Sequence, residues 1–290
     1  MDRVLLGVIG GSGIYDLESL VDVETLDVQT PFGEPSDSVV VGTLSGLRVA
    51  FLPRHGRGHR ISPSELNSRA NIYALKSIGV EYVVSISACG SMREDLPPRT
   101  IVVPDQLFDR TKGIRDSTFF EHGLVVHISF DEPYCPELSR LVHQAVLKTG
   151  APVHRGGTMV VMEGPQFSTK AESRIYRQWG VDLIGMTALP EAKLAREAEL
   201  CYAALAHVTD YDVWHETEKP VTVATVLDNL KANARVTKEA LTYLAPMLLE
   251  KGRRSCACAT ALQNAIITDR KMITAQAKQK LGLLVGKYLK

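Results

Sequence analysis

The chain has no excess of charge of either sign: thirty-three basic side chains balance thirty-three acidic ones. That balance argues against a nucleic acid or an anionic membrane surface held by bulk electrostatics and leaves a small-molecule ligand as the default. No apolar run approaches the ~20 residues of a membrane span. The opening Met1-Asp2-Arg3-Val4 lacks the basic region, long apolar stretch and cleavage site of a secretory signal, so a cytoplasmic protein is expected. Cysteine is sparse. Cys89, Cys135, Cys201, Cys256 and Cys258 fit neither a secreted disulfide framework nor paired C-x-x-C zinc knuckles. Cys89 and Cys201 lie in apolar strands and read as core. Cys256-Ala257-Cys258 suits a small strained ring or a soft metal, and equally two ordinary thiols near a helix start.

Linkers, repeats and low-complexity blocks are also missing, and strand-like runs alternate with helix-like ones from Leu5 to Leu249. With 45% hydrophobic residues over 290 positions, one α/β domain is expected rather than two. Val4–Ile9 reads as the first strand, Ser38–Leu44 and Leu47–Leu52 as a hairpin, and Tyr82–Ala88 as a buried strand. Ser62-Pro63-Ser64-Glu65 carries the signature of a helix start, which predicts a helix from there to about Ile78. Ile101–Val103, Leu124–Ile128, Thr158–Met162 and Asp182–Ile184 read as strands, with Asp109–Gly123 as a mobile or ligand-covering loop. Pro136–Thr149, Lys170–Gln178 and Pro190–Glu199 read as helices, and the pattern beyond Thr222 is helical almost to the end. From about Ala259 the tail reads as an amphipathic extension laid on the body or on a neighbouring subunit.

Cys201–Val208 is an apolar run of strand length that ends abruptly in Thr209-Asp210-Tyr211-Asp212. Open α/β sheets place ligand sites at the carboxyl ends of such strands. Continued alternation would turn Asp210 and Asp212 to one face about one strand repeat, ~7 Å, apart, a gap matched by one edge of a flat heterocycle. Asp after a strand also serves turns and helix caps, so the pair needs support from elsewhere.

Support comes from other strand ends. Gly10-Gly11-Ser12-Gly13 follows the first strand and offers backbone N–H groups and a hydroxyl to an anion. Asp16 occupies the third-glycine position of a dinucleotide fingerprint, which leaves a loop for a single phosphate or a plain tight turn. Arg54 and His55 open a basic segment at the end of another strand, a pairing suited to phosphate oxygens. His59 is also spaced for a metal pair with His55, but a third ligand of the right kind is missing nearby. Ser87, and Thr187 at a helix start, add hydroxyls. Phe167 and Met186 suit stacking on a planar ligand and lining its sugar, or core packing.

Taken together, the Gly-Gly-Ser-Gly loop, Thr30-Pro31-Phe32-Gly33, Arg54-His55-Gly56-Arg57, Ala88-Cys89-Gly90-Ser91, Glu163-Gly164-Pro165 with Phe167-Ser168, Met186-Thr187 and Thr209-Asp210-Tyr211-Asp212 resemble the purine nucleoside phosphorylase family. Within it they resemble the branch acting on 5′-methylthioadenosine. The resemblance implies a twisted mixed β-sheet flanked by helices and a homotrimer, with trimers pairing into hexamers as an open alternative. It assigns phosphate to Ser12, Arg54, His55, Ser87, the backbone N–H of Ala88, and Thr187. It assigns the base to Phe167, Ser168, Asp210 and Asp212, and the ribose to Met186. His127 would reach a neighbouring subunit's pocket, and Val223, Val226 and Leu227 would line the 5′ end. No metal or organic cofactor is implied; inorganic phosphate is a co-substrate.

The residues carry a consistent chemistry. Asp210 is the candidate general acid at purine N7, provided burial keeps it protonated near neutral pH. Asp212 would accept from a 6-amino group, which selects adenine over a 6-oxopurine. Val223, Val226 and Leu227 at i, i+3 and i+4 form an apolar helix face that suits a methylthio group better than a hydroxyl. An NAD-dependent oxidoreductase is the first rival and fails on Asp16. A nucleoside-binding protein without catalysis is the second, and the retained Arg54, His55 and Thr187 speak against it.

Overall fold

The computed structural model describes residues 3–11, 19–215, 223–252 and 254–289. Its order is β1 (Leu6–Gly10), β2 (Val21–Leu26), β3 (Val39–Leu44), β4 (Leu47–Pro53), α1 (Ser68–Ser77) and the long β5 (Tyr82–Ser91). Then come β6 (Ile101–Val103), β7 (Gln106–Arg110), α2 (Pro136–Leu147), β8 (Val153–Arg155), β9 (Thr158–Met162) and α3 (Lys170–Gln178). The series continues with β10 (Leu183–Gly185), α4 (Ala188–Glu197), β11 (Cys201–Asp210), α5 (Val223–Lys251) and α6 (Ala275–Val285). The strands form one mixed sheet in the order β2-β3-β4-β1-β5-β10-β9-β7, while β11 pairs with β5 and β6, and β8 with β6.

β5 is the hub. β1 runs parallel to Tyr82–Ser85, β10 pairs antiparallel with Gly90 and Ser91, and β11 runs parallel along the opposite edge from Tyr82 to Gly90. Strands covered on both faces read as continuous apolar runs, and β11 is one: Tyr202, Ala204, Ala206 and Val208 enter one core, Cys201, Ala203 and Leu205 the other. α1, α4 and α6 pack on the first face, α2 and α5 on the second. The C-terminal segment therefore lies on the body of its own chain, with Leu281 and Leu284 in the core. Among the described residues no helix is long and apolar enough to cross a membrane.

Several sequence readings change. The helix predicted from Ser62 begins at Ser68, where the Asn67 side chain accepts from Ala70 N at 3.0 Å. Ser62 and Glu65 do exchange hydrogen bonds, but they close an isolated turn from which Ser64 Oγ reaches Glu163 at 2.6 Å. Leu124–Ile128 is not a strand; only Val126 bridges, to Ile266. β2, β7 and β8 were not read as strands, because they are short or mostly exposed and carry little apolar alternation.

Glu197, at the end of α4, is buried and accepts from Phe119 N and Thr118 Oγ1, each at 2.7 Å. Burial raises its pKa from 4.5 to about 7 against those two bonds. The folded state thus holds a proton that the unfolded chain releases. Its stabilising contribution is complete below pH 4.5 and disappears as pH rises through about 7. Glu197→Gln mimics the protonated form, and we expect denaturant melts across that window to show a flatter pH dependence and a more stable variant at pH 8.

Candidate active site

The two neighbours on one edge of β5 leave a gap. β1 pairs as far as Ser85 and β10 takes over at Gly90. Tyr82 N donates to Leu5 O on the β1 side and Met92 N to Asp182 O on the β10 side, so even-numbered residues turn their backbone groups to this edge. Ile86 O accepts from Arg54 Nη1 at 2.8 Å, and Ala88 N–H faces the open stretch. Ser87 and Ala88 are half-buried there, within β5, which continues to Ser91 beyond the strand expected to end at Ala88.

Arg54 and His55 follow β4, and Arg54 N donates to Gly10 O at 2.9 Å. The guanidinium is 2% exposed and its fork is not free for phosphate as expected. Nε and Nη2 grip Glu191 at 2.7 and 3.1 Å, and Nη2 also donates to Ser85 Oγ at 2.7 Å. A buried guanidinium requires a carboxylate, and α4 supplies it. Nη1, with the single acceptor Ile86 O among the described residues, is the edge turned to the gap. His55 Nδ1 donates to the Ile61 carbonyl at 2.8 Å, and its ring stacks on His59 at 4.3 Å. Burial and then the Arg54 charge lower its pKa to about 4, so at neutral pH Nε2 is an acceptor.

At the end of β11, a register shift between Val208 and Asp210 breaks the alternation. Asp212 lies beyond the strand with φ +52°, and its N–H donates to Asp210 Oδ1 at 2.8 Å. The two carboxyls are therefore joined by a tight turn, not set one strand repeat apart as alternation predicted. Asp210 Oδ2 accepts from Thr209 Oγ1 at 2.7 Å. Burial raises the pKa of Asp210; the Thr209 and Asp212 hydrogen bonds oppose it, and the Asp212 charge adds to it. Burial raises Asp212 as well, against the Ser173 and Ser168 hydroxyls. Asp212 Oδ2 is buried without a hydrogen-bond partner among the described residues. Gly90 makes room for both: a Cβ there would stand 2.9 Å from Ile184 Cγ2, 3.0 Å from Asp210 Oδ1 and 3.3 Å from Asp212 Cβ. Gly90→Ala should displace Asp210 and lower kcat/KM about 10²-fold, a change to be read by steady-state kinetics beside a thermal melt.

The strand β9 leads into the third wall. Gly164, at φ +70°, has Met186 Sδ 2.6 Å from where a Cβ would sit, so the methionine lies across this glycine. Phe167 is 44% exposed, which sets aside core packing for it, while Ser168 is buried with its hydroxyl between Met162 Sδ, at 3.7 Å, and Asp212. Thr187 occupies the N-cap position of α4, but its hydroxyl makes no cap bond. Arg115 lies inside the segment predicted to be a mobile or ligand-covering loop and is buried. It donates to Glu163 Oε1 at 2.7 Å, Glu163 O at 2.6 Å, Met186 O at 2.6 Å and Leu189 O at 2.7 Å. Glu163 also accepts from Ser64 and from Lys112 N. Arg115 thus ties the exit of β9 to the Met186-Thr187 turn. Sequence reasoning missed Arg115, Glu163 as its partner, and Glu191; an ion pair between residues 48 or 137 positions apart leaves no local pattern.

Ser12 lies outside the described residues. Val223, Val226 and Leu227 fall in the first turns of α5, and their side chains likewise lie outside the description. Asn229 Nδ2 donates to Thr209 O at 2.7 Å, which fixes this end of α5 against the aspartate turn. His127 is exposed, and its N–H donates to Ala265 O at 2.8 Å in the C-terminal segment.

A profile of the phosphorylase superfamily matches residues 5–245. S-methyl-5′-thioadenosine phosphorylase of Geobacter sulfurreducens is 51% identical over 100% of both chains. The enzyme of that name from Chloroflexus aurantiacus is 53% identical over 99% of each. Among solved structures, a methylthioadenosine phosphorylase sourced from an Antarctic soil metagenomic library superposes with a TM-score of 0.93 at 44% identity, covering 98% of this chain and 99% of that one. Methylthioadenosine phosphorylase from Schistosoma mansoni in complex with adenine gives 0.83 at 36% identity, covering 90% and 96%.

Proposed function

The chain belongs to the phosphorylase superfamily, and on that premise we propose that it converts 5′-methylthioadenosine and phosphate to adenine and 5-methylthioribose 1-phosphate. The observation that carries this reading is the pair of carboxyls of Asp210, half-buried, and Asp212, buried, at the open end of β11, beside the gap in the edge of β5. The named activity of the relatives supports it. Phosphate would lie in the gap, held by Ala88 N–H, Ser87, Thr187, Arg54 Nη1 and Ser12. His55 Nε2, an acceptor at neutral pH, would accept a hydrogen bond from the P–OH of hydrogen phosphate and leave the charged oxygens to the donors.

A phosphate oxygen then bonds to C1′ while the bond from C1′ to N9 breaks. The electron pair passes into the purine, and Asp210 delivers its proton to N7. Phe167 stacks on the base, and Ser168 and Met186 border it and the ribose. Asp212 Oδ2, short of a donor, accepts from the 6-amino group; a 6-oxopurine would leave it unpaired. Val223, Val226 and Leu227 would receive the methylthio group. His127, exposed on its own chain, would enter the pocket of a neighbour in a homotrimer, to be checked by sedimentation. Its products, adenine and a methylthio sugar phosphate, would then feed purine and methionine salvage.

The test is base release from 5′-methylthioadenosine, adenosine, 5′-methylthioinosine and inosine in parallel, with and without phosphate. Fast cleavage of methylthioadenosine only with phosphate is expected. Cleavage without phosphate would make the protein a hydrolase, and a preference for inosine would overturn the roles given to the two aspartates.

A further inference from the structure

At the other end of β11, nine residues and roughly 30 Å from Asp210, the fold collects four cysteines that the sequence scatters. Cys201 opens the strand and Cys135 is the N-cap residue of α2. Cys256 precedes the short 3-10 turn Ala257–Thr260, and Cys258 lies within it. Their four sulfurs all lie within 4.8 Å of one another, and Cys201 and Cys256 are 3.3 Å apart. Cys135, Cys201 and Cys258 are buried and Cys256 is half-buried. Cys201 is thus more than the core residue read from its strand, and the Cys256/Cys258 pair does not stand alone.

Four thiolates around a tetrahedral Zn²⁺ at about 2.3 Å stand about 3.8 Å from each other, close to the spacing already present. We propose that Cys135, Cys201, Cys256 and Cys258 form a closed, structural zinc site that clamps the segment after α5 to the starts of β11 and α2. Each ligand comes from a different element or from a turn, and none has another chemical task in the reaction proposed above. Four soft sulfur donors, three of them buried, with no oxygen or nitrogen among them select zinc over calcium, magnesium or manganese. Binding one Zn²⁺ by four thiols releases four protons and leaves a net charge of −2. Arg254, which pairs with Glu81 at 3.0 Å and donates to Glu199 O at 2.7 Å, stands beside Cys201 to offset it. The amino end of α2, capped by Cys135, adds the favourable end of a helix dipole. Because the ligands open β11, cap α2 and belong to the turn after α5, the metal stiffens the fold and takes no part in turnover.

The full chain, purified with a reductant present, should retain one zinc per chain by elemental analysis. Replacing zinc with Co²⁺ should give the strong visible d–d bands and near-ultraviolet charge transfer of a tetrahedral tetrathiolate. Cys256→Ser and Cys258→Ser should lose the metal and those bands, while Cys89→Ser, at a buried cysteine outside the cluster, should keep both. Zinc should also raise Tm of the chelator-treated, reduced protein. If the serine variants fail to fold, the Co²⁺ spectrum of the unsubstituted protein decides alone. A fully reduced chain with all five thiols titratable that takes up neither zinc nor cobalt overturns the site. So does a chain two or four hydrogens lighter without reductant that binds no metal once reduced, an outcome that identifies the cluster as disulfides.

Discussion

Asp210→Asn should lower kcat/KM for 5′-methylthioadenosine by about 10²–10⁴-fold, the range expected when a general acid is removed. The fold should survive, since the amide keeps the shape of the side chain, and its oxygen can still accept from Asp212 N, which Asp210 Oδ1 takes at 2.8 Å. The loss should be largest for 6-aminopurine nucleosides. An amide N–H₂ offers a donor that a 6-oxopurine can use, so the rate ratio of methylthioinosine to methylthioadenosine should rise. The unsubstituted protein should lose activity as pH rises through the elevated pKa of Asp210, whose proton burial retains, and the Asn variant should lack that limb. Parallel kcat/KM profiles of both proteins measure this, and a variant with the full rate would remove Asp210 from the mechanism.

Arg115→Met should be the most damaging change outside the acid itself. It leaves the Glu163 carboxylate buried without its cation and frees the carbonyls of Glu163, Met186 and Leu189. Breaking a buried pair by removing one partner costs about 3–5 kcal/mol, to be read from denaturant melts. Because Arg115 holds the Met186-Thr187 turn against the exit of β9, KM for nucleoside should rise in whatever fraction remains folded. Adding Glu163→Gln in the same chain should recover part of the stability, since the uncompensated charge is gone, but not the affinity. If the single and double variants prove equally stable, the pair is not the source of the loss.

The sequence makes some of this arrangement legible and hides the rest for physical reasons. β11 announces itself, because a strand covered on both faces must be apolar throughout, and its polar end marks the site. The hydroxyls and basic side chains at other strand ends are visible as departures from apolar runs. The bulge before Asp210 is not visible, since a register shift depends on the neighbouring strand, and so the relation of Asp210 to Asp212 was misjudged. Arg54 was read as a free fork because its partner Glu191 lies in a helix 137 positions later. α1 starts at Ser68 rather than near Ser62 because Ser64, within the earlier signal, is drawn to Glu163. Cys201 reads as an ordinary core residue because a sulfur among apolar neighbours looks the same whether or not three others surround it.

The uncovered stretch of β5 has a consequence for how this protein tolerates change. Its donor at residue 88 is a peptide N–H, which every amino acid except proline supplies. Drift in the side chain at that position leaves the donor in place, and truncating side chains one by one would not register it. The requirement falls instead on strand lengths: β1 must stop at Gly10 and the antiparallel β10 must end by Gly185, because each further paired residue on either would narrow the opening. Selection on this part of the molecule therefore acts on where hydrogen-bonded ladders end, and its imprint is to be sought in insertions and deletions rather than in substitutions.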